Sequence, residues 1–265
     1  MTTKTQYNPQ AEEEKFRYSK HNILRSEKIY GDGFQSLVNI AKVQSLCEKL
    51  HMRPNMDILE IGSGLGGATF YLAQQYQANI LGFDLSITMV ELSTERLQQL
   101  NLSNVAFQHA DITTAELNAN AFDLVWTVDC FMYISDKQAV WNKFYKTLRP
   151  KGKLLMVDYC GNADDSSDEF KTYTETCGYY MQDIPSYAHS LKAAGFTDVI
   201  AEDITPELVL GFKATKDRLL KNATDFLQFF NQDELDRLVG RWDKKLQFCQ
   251  EGHLKWGLFI ASTEA

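Results

Sequence analysis

The chain has 265 residues, 44% of them hydrophobic, which is enough apolar material to bury one large core. Its 27 basic and 35 acidic residues give a formal net charge of −8, which offers no basic surface to a nucleic-acid backbone or an anionic membrane. No apolar run reaches the ~20 residues of a membrane span, and the polar start lacks the apolar core of a secretion signal. We therefore expect a cytoplasmic protein without nucleic-acid or membrane partners.

The cysteines and histidines argue against disulfides and metal. The five cysteines are odd in number, scattered, and form no C-x-x-C pair, a pattern typical of free thiols in a reducing compartment. None of the five histidines stands at metal-ligand spacing from another His, Cys or acid. We therefore expect no bound metal.

Residues 1–15 are polar and acidic without periodicity, which predicts a mobile tail before a single domain at 16–265. From residue 40 to about 158, predicted helices and strands alternate. The predicted helices are Ile40–Leu50, Ala68–Tyr76, Ile87–Leu100 and Lys137–Leu148, and the predicted strands are Met56–Ile61, Asn79–Phe83, Val105–His109, Phe122–Thr127 and Lys153–Asp158, with a turn at Arg149–Gly152. This alternation predicts a Rossmann-like, doubly wound α/β fold with a mostly parallel sheet.

After Asp158 the pattern becomes mostly helical. Helices are predicted at Asp168–Cys177, Ile184–Ala194, Pro206–Asn231 and Asp233–Gln250, and strands at Thr197–Glu202 and Trp256–Ser262. The two late strands would complete the same sheet, separated by a long helical insertion.

The glycine-rich turn Gly62-Ser63-Gly64-Leu65-Gly66-Gly67 directly follows a predicted strand and precedes a predicted helix. Glycines in that setting let the backbone turn sharply and approach a bound nucleotide or its methionine tail. About 20 residues later, Asp84 ends the second strand, where a carboxylate can accept hydrogen bonds from both ribose hydroxyls. Because Gly62, Gly64 and Gly67 also satisfy G-x-G-x-x-G, these features suit both NAD and S-adenosylmethionine (SAM).

Three further acids favour SAM. Glu60, two residues before the first glycine, can help hold a cationic methionine moiety, whereas a dinucleotide brings a pyrophosphate. Asp111 follows the third strand and can face the adenine amino group, with Ile112 as an apolar cover; the alternative for Asp111 is a helix N-cap before Thr113. Asp129 follows the fourth strand, where the carboxyl end places it in the cleft unless it is a solvated loop acid.

These motifs and their order resemble the class I SAM-dependent methyltransferases, and among them the phosphoethanolamine N-methyltransferases. The resemblance covers most of the chain and rests on Tyr18 before the stretch Ile29–Ser36, then ILEIGSGLGGA, HADIT, the segment from Asp129, LMVDYC around Tyr159, and the late WDKK and KWG segments. It implies a seven-stranded sheet with the last strand antiparallel and a helical lid, which we assign to residues 16–39 and 204–255.

The resemblance also implies the ligands and their residues. SAM would be the cofactor and a small amine the substrate. Implied cofactor contacts come from Tyr18, Ser36, Gly62, Asp84, Leu85, Asp111, Ile112 and Asp129, to which the motifs add Glu60 and Gly64. Implied contacts with a phosphorylated amine come from Tyr159, Tyr173, Tyr179 and Lys245.

Three positions depart from the family pattern. Ser36 is followed by Leu-Val-Asn instead of Gly-Gly, Tyr133 stands where the family has its catalytic histidine, and Cys177 replaces a phosphate-binding arginine. The family's Tyr–His pair is thus reduced to Tyr18, and a phenol with a pKa of ~10 is a poor base near neutrality. The candidate catalytic residues are Tyr18, Asp129 and Tyr133.

The leading interpretation is an N-methyltransferase for a small amine, most concretely phosphoethanolamine or its methylated forms. A methyltransferase for an amino acid or another carboxylated amine is the first alternative, because Lys245 suits either anion. A SAM-binding protein without turnover and an NAD-dependent dehydrogenase are the others. The tyrosines could equally be packing residues and Lys245 a solvated one. A monomer and a homodimer are both compatible with the sequence.

Overall fold

The computed structural model describes residues 18–162 and 165–264, so the predicted tail at 1–15 lies outside the described residues. Within those ranges the chain forms one seven-stranded sheet of order β3-β2-β1-β4-β5-β7-β6. The strands are β1 Asp57–Ile61, β2 Asn79–Asp84, β3 Val105–His109, β4 Phe122–Val128, β5 Leu148–Cys160, β6 Thr197–Asp203 and β7 Lys255–Ser262. β7 runs antiparallel to both of its neighbours, while the other pairs are parallel. The predicted fold class is confirmed.

The helices begin mostly where a polar side chain accepts a hydrogen bond from a first-turn amide, as an N-cap requires. They are α1 Lys20–Tyr30, α2 Ile40–Leu50, α3 Gly67–Tyr76, α4 Ile87–Leu100, α5 Lys137–Thr147, α6 Asp168–Cys177, α7 Ile184–Ala193, α8 Thr205–Lys221, α9 Ala223–Phe226 and α10 Gln232–Gln250, with a short 3₁₀ turn at Phe131–Tyr133. Among the described residues, no helix combines the length and the apolar character needed to cross a bilayer.

The sequence pattern did not predict one helix and placed the end of another too late in the chain. Helix α1 was not predicted, because its buried positions include the polar Asn22 and Glu27 and so hide the apolar period. The single helix predicted at Pro206–Asn231 is wrong, since α8 ends at Lys221. The backbone of Asn222, at φ −115° and ψ 31°, leaves helical geometry there before the one-turn α9 begins.

The predicted turn at Arg149–Gly152 lies inside strand β5 rather than before it. The pairing of β5 with β4 shifts register there, from Phe122 opposite Leu148 to Leu124 opposite Lys153. Lys151 takes up the extra length with a left-handed φ of 63°. The turn is therefore an irregularity within a longer strand.

Both faces of the sheet are covered by apolar side chains, as a mostly parallel sheet requires. One face packs Trp126 and Val157 against helices α2, α3 and the insertion α8–α10, and the other packs Val125 and Met156 against α5 and α7. The carboxyl ends of β1 to β4 then meet at one edge, which is where ligands bind in open α/β sheets.

Candidate active site

The glycine turn after β1 is held against the end of β2. The amides of Gly62 and Ser63 both donate to the carbonyl oxygen of Phe83, at 2.8 and 3.0 Å. Gly62 has a φ of 73°, and a Cβ at that position would lie 2.8 Å from the side chain of Cys130. Gly64 also has a positive φ, 52°, but nothing lies within 4 Å of its missing Cβ. The turn thus requires glycine at 62 for space and leaves the backbone open at 64.

Asp84 fixes the geometry of this turn. One carboxylate oxygen accepts from the amide of Gly64 and the other from the amide of Ser86, both at 2.8 Å. Burial raises the pKa of Asp84, and these two amides oppose that rise. Each carboxylate oxygen has a further lone pair. The side chain can therefore accept hydrogen bonds from a diol without giving up its backbone partners.

Glu60 lies under the turn, only 4% exposed, and accepts a hydrogen bond from the hydroxyl of Thr69 on α3. Burial, opposed by the hydrogen bond from Thr69 and assisted by the nearby charge of Asp84, raises the pKa of this carboxyl to about 7. Near neutral pH, Glu60 therefore exchanges readily between its charged and uncharged forms, and a nearby cation favours the charged one.

The loops after β2 and β3 carry an exposed apolar side chain and a turn acid. Leu85 is 70% exposed to solvent. Asp111 is exposed and accepts from the amide and hydroxyl of Thr113, at 2.8 and 2.7 Å, so it caps this local turn. Ile112 is buried beside it. Lys143 of α5, which sequence reasoning missed, ties this loop down by donating to the carbonyl of Ile112 at 2.7 Å.

Asp129 leaves β4 in the left-handed region, with a φ of 49°. Its amide donates to the carbonyl of Val157 at 2.8 Å, and its carboxylate accepts from the indole N–H of Trp256 at 2.9 Å. Burial raises the pKa of Asp129, while the hydrogen bonds from Trp256 and Ser36 and the charge of Lys245 oppose that rise. Trp256 was not predicted as a site residue, because 127 positions separate it from Asp129.

Four of the five candidate tyrosines lie together near Asp129, whereas Tyr18 lies elsewhere. The ring of Tyr179 lies 5.2 Å from that of Tyr133, 6.4 Å from Tyr159 and 5.9 Å from Tyr173, measured between centroids. Lys245 donates to the hydroxyl of Tyr159 at 3.0 Å, with its ammonium 4.3 Å from the centre of the same ring. The structure thus brings the predicted substrate residues and Tyr133 into one cluster.

Burial suppresses the titration of two tyrosines in this cluster. The pKa of Tyr159 is raised well above its usual range by burial and by the charge of Asp129, and that of Tyr173 is raised by burial. Tyr173 also hydrogen-bonds with Cys177, so that position contributes a thiol and not a cation. The phenols of Tyr159 and Tyr173 therefore remain protonated near neutral pH, and Lys245 and Asp129 are the ionisable groups beside them that can carry charge.

The segment before α2 lies across the glycine turn. Tyr18 packs with Ile23 against Leu65 of the turn and against helix α4. Gly33 accepts a hydrogen bond from the amide of Gly67 at 3.2 Å.

A charge pair fixes this segment from α4. Glu27 accepts two hydrogen bonds from Arg96 at 2.6 Å each and one from the amide of Gly33 at 2.5 Å. Neither Glu27 nor Arg96 follows a motif that would have revealed the pair in advance. Within the described ranges, no group of three or more His, Cys, Asp or Glu side chains could hold a metal ion.

Comparison with known proteins identifies the kind of site. A family model described as a methyltransferase domain matches residues 52–231. Phosphoethanolamine N-methyltransferase 1 of Arabidopsis thaliana is 38% identical over 246 residues, covering 93% of this chain and 50% of that protein. The corresponding protein of Plasmodium falciparum is 29% identical over 249 residues, covering 93% of each chain. The chain thus spans about half the length of the plant relative.

A solved structure extends the likeness to the fold. Phosphoethanolamine N-methyltransferase 2 of Haemonchus contortus, in complex with phosphomonomethylethanolamine and S-adenosylhomocysteine, superposes with a TM-score of 0.91 at 27% identity. The match covers 95% of this chain and 59% of that one. The resemblance drawn from the motifs is confirmed.

Replacing Gly62 by alanine should destabilise the protein, because the new Cβ meets Cys130 and the φ of 73° disfavours any side chain. We expect a loss of about 1–3 kcal/mol in the free energy of unfolding. Gly240→Ala is the matched control: this helix position has nothing within 4 Å of its missing Cβ, and alanine there should gain up to about 1 kcal/mol. Urea unfolding measures both, and equal effects would contradict the prediction.

Proposed function

The chain belongs to the methyltransferase-domain family, and on that basis we propose that it is a SAM-dependent N-methyltransferase of small amines, with phosphoethanolamine or its methylated forms as substrates. The observation that carries the substrate class is the pairing of Asp129 with Lys245 across the tyrosine cluster. A carboxylate for the amine and a cation for the anionic end match a phosphorylated amine. The net charge of −8 supports small-molecule rather than nucleic-acid partners.

The residues at the sheet edge fit SAM. Asp84 is already held in place to receive a ribose, and the exposed Leu85 offers an apolar surface to one face of an adenine ring. Asp111 would face the amino group of the adenine, and Ile112 would cover the other face of the ring. Gly64, with nothing within 4 Å of its missing Cβ, would leave room for the methionine part, while Gly62 lets the turn pack against Cys130. Glu60 would supply a negative charge beneath. When bound, SAM supplies a sulfonium methyl group for in-line displacement.

The chain's own residues would align the amine and manage its proton. Asp129 would accept a hydrogen bond from the ammonium, and its raised pKa makes it a better proton acceptor than an exposed aspartate. Tyr133, Tyr159, Tyr173 and Tyr179 would donate hydrogen bonds or present ring faces, since buried phenols are poor bases. Tyr18 would close the site over the glycine turn and exclude water.

A carboxylated amine is the second candidate substrate, and one observation favours it. The position of the family's phosphate-binding arginine is held by Cys177, which hydrogen-bonds with Tyr173 and carries no positive charge. A carboxylate needs fewer cationic partners than a phosphate dianion. Lys245 alone would satisfy it.

The experiment that tests the function measures initial rates for the wild type and Tyr133→His across pH. Phosphoethanolamine, its monomethyl and dimethyl forms and a carboxylated amine are compared, with S-adenosylhomocysteine release as the readout. We expect the phosphorylated amines to be turned over. Tyr133→His should raise the phosphoethanolamine rate at least about tenfold, most clearly below the pKa of the amine, because imidazole accepts a proton near neutrality.

Asp84→Asn serves as the inactive control, because it removes a carboxylate from the proposed ribose site. A lower rate of Tyr133→His with the carboxylated amine, and no gain with phosphoethanolamine, would favour the second candidate. Cofactor binding without turnover of any amine would contradict the proposed enzyme activity.

Cofactor affinity should rise with pH through about 7, the pKa to which burial raises Glu60. Below that pH the carboxyl is uncharged and must lose a proton to face a cationic methionine group, and above it the charge is already present. Calorimetry with S-adenosylhomocysteine between about pH 6 and pH 8 measures the slope. Glu60→Gln should flatten it, whereas Glu91→Gln, an exposed change on α4, should leave it intact. Equal slopes in wild type and Glu60→Gln would refute this role.

We propose further that residues 18–39 and the insertion at 204–255 act together as a lid. Arg25 bonds Glu234 of α10 at 2.8 Å, and the indole N–H of Trp242 donates to the hydroxyl of Tyr30 at 3.2 Å. Arg218 of α8 also donates to the carbonyl of Ile29. These contacts join the two segments, and in this proposal they separate when a ligand enters.

If these segments form a lid, ligand should slow amide hydrogen exchange across 18–39. S-adenosylhomocysteine is the ligand, and the central strand β5 is the internal reference because it is paired on both sides. We expect added protection in 18–39 and none in β5. Identical exchange of 18–39 with and without ligand would leave this segment a static structural role.

A further inference from the structure

A lysine lies inside the protein directly behind the site. Lys137 is the first residue of α5 and only 3% exposed, although lysine is almost never fully buried without partners. Its ammonium donates to the carbonyl of Ile134 and lies 5.8 Å from the ring centres of both Phe131 and Tyr187. The proposed reaction gives this buried charge no part.

A buried carboxyl lies near the same ammonium. Asp158 of β5 is fully buried, and one of its oxygens accepts from the hydroxyl of Tyr187 on α7 at 3.3 Å. The other oxygen has no hydrogen-bond partner within the described part of the chain. Lys137 and Asp158 act on each other's titration, since each charge opposes the effect of burial on the other. Lys137, Asp158 and Tyr187 therefore form one buried polar cluster.

This cluster adjoins the turn of residues 129–134, which carries two site residues. The amide of Asp129 donates to Val157, the neighbour of Asp158 on β5, at 2.8 Å. The amide of Tyr133 donates to Cys130 at 3.3 Å, and that of Ile134 to Phe131 at 3.0 Å. The carbonyl of Ile134, where this turn ends, is the acceptor for Lys137. The ammonium thus hydrogen-bonds one end of the turn, at Ile134, and β5 hydrogen-bonds the other end, at Asp129.

We propose that Lys137, supported by Asp158 and Tyr187, is a positioning residue that holds the turn 129–134 in the conformation required for methyl transfer. The inference rests on the proposed function and concerns how the residues of that site are kept in position. Small displacements of reacting groups cost large factors in rate. The reacting groups must therefore be positioned to within a fraction of an ångström, which depends on the residues packed behind them. Removing the ammonium leaves the carbonyl of Ile134 without this hydrogen-bond donor and the carboxyl of Asp158 without this neighbouring positive charge.

The cluster also predicts a pH signature. Burial lowers the pKa of Lys137 to about 8, against the opposing charge of Asp158. The neighbouring thiols of Cys160 and Cys130 have pKa values raised by burial and stay uncharged in this range. The group facing it from α7 is Tyr187, whose own pKa burial raises. The ammonium is fully present below that pH and is lost as the pH rises through about 8. Its contribution to the rate should disappear over the same range.

The test compares Lys137→Met with Lys146→Met, the same change at an exposed position on the same helix. In Lys137→Met we expect kcat to fall about tenfold, with KM and S-adenosylhomocysteine affinity within about twofold of wild type. The ratio of wild-type to Lys137→Met rates should decline as the pH rises through about 8. Lys146→Met should match wild type throughout. An unchanged kcat, or a ratio that does not vary with pH, would overturn the proposal.

A second readout separates this proposal from the proposed function. Amide exchange at Tyr133 and Ile134 should be faster in Lys137→Met than in wild type and unchanged in Lys146→Met. If the wild type turns over no amine, the proposed function fails and this exchange difference still decides whether Lys137 holds the turn. If Lys137→Met does not fold, Tyr187→Phe removes one bond to Asp158, keeps the ring, and should show the same changes in smaller measure. Unchanged exchange in the folded variant would overturn the inference.

Discussion

The two hydrogen bonds from backbone amides to Asp84 are the constraint on which the ligand-binding edge of the sheet depends. They join the glycine turn after β1 to the start of α4, so one side chain sets the position of two loops. Because the turn is fixed, the residues that contact it are fixed as well. Tyr18 packs on Leu65, and the amide of Gly67 donates to the carbonyl of Gly33. A half-buried carboxylate held by amides on two sides is already ordered before a ligand arrives, and such preorganisation lowers the entropic cost of binding.

Local patterns were enough to place the parts of the site that lie on consecutive elements. The strand, the glycine turn and Asp84 fall within one β-α-β unit, where spacing along the chain determines spacing in the fold. Resemblance, and not spacing, pointed to the tyrosine cluster and Lys245. Partners brought together from distant segments stayed hidden: Trp256 for Asp129, Arg96 for Glu27 and Asp158 for Lys137. Helix α1 was missed because its buried face contains Asn22 and Glu27, and Glu27 meets its partner Arg96, 69 positions away, only after folding.

Charge is arranged differently on the two sides of the site. At the glycine turn two acids lie close together, Glu60 and Asp84, and burial makes each of them easier to protonate. In the tyrosine cluster an acid and a lysine lie beside Tyr159, whose pKa burial raises. The first arrangement suits a cation, and the second suits a molecule with a charge of each sign. Asp129 and Lys245 are both present in this second arrangement. Relative to the family pattern, it lacks the histidine and the arginine whose positions Tyr133 and Cys177 occupy.

The position of β7 has a consequence for synthesis of the chain on the ribosome. This strand occupies the slot between β5 and β6, and β6 pairs with no other strand in the described sheet. Until residues 255–262 have emerged, two strand edges face solvent and can pair with the wrong partner. The same strand carries Trp256, which orients Asp129. Closure of the sheet and placement of Trp256 against Asp129 therefore depend on the same strand, and neither can occur before residues 255–262 are available.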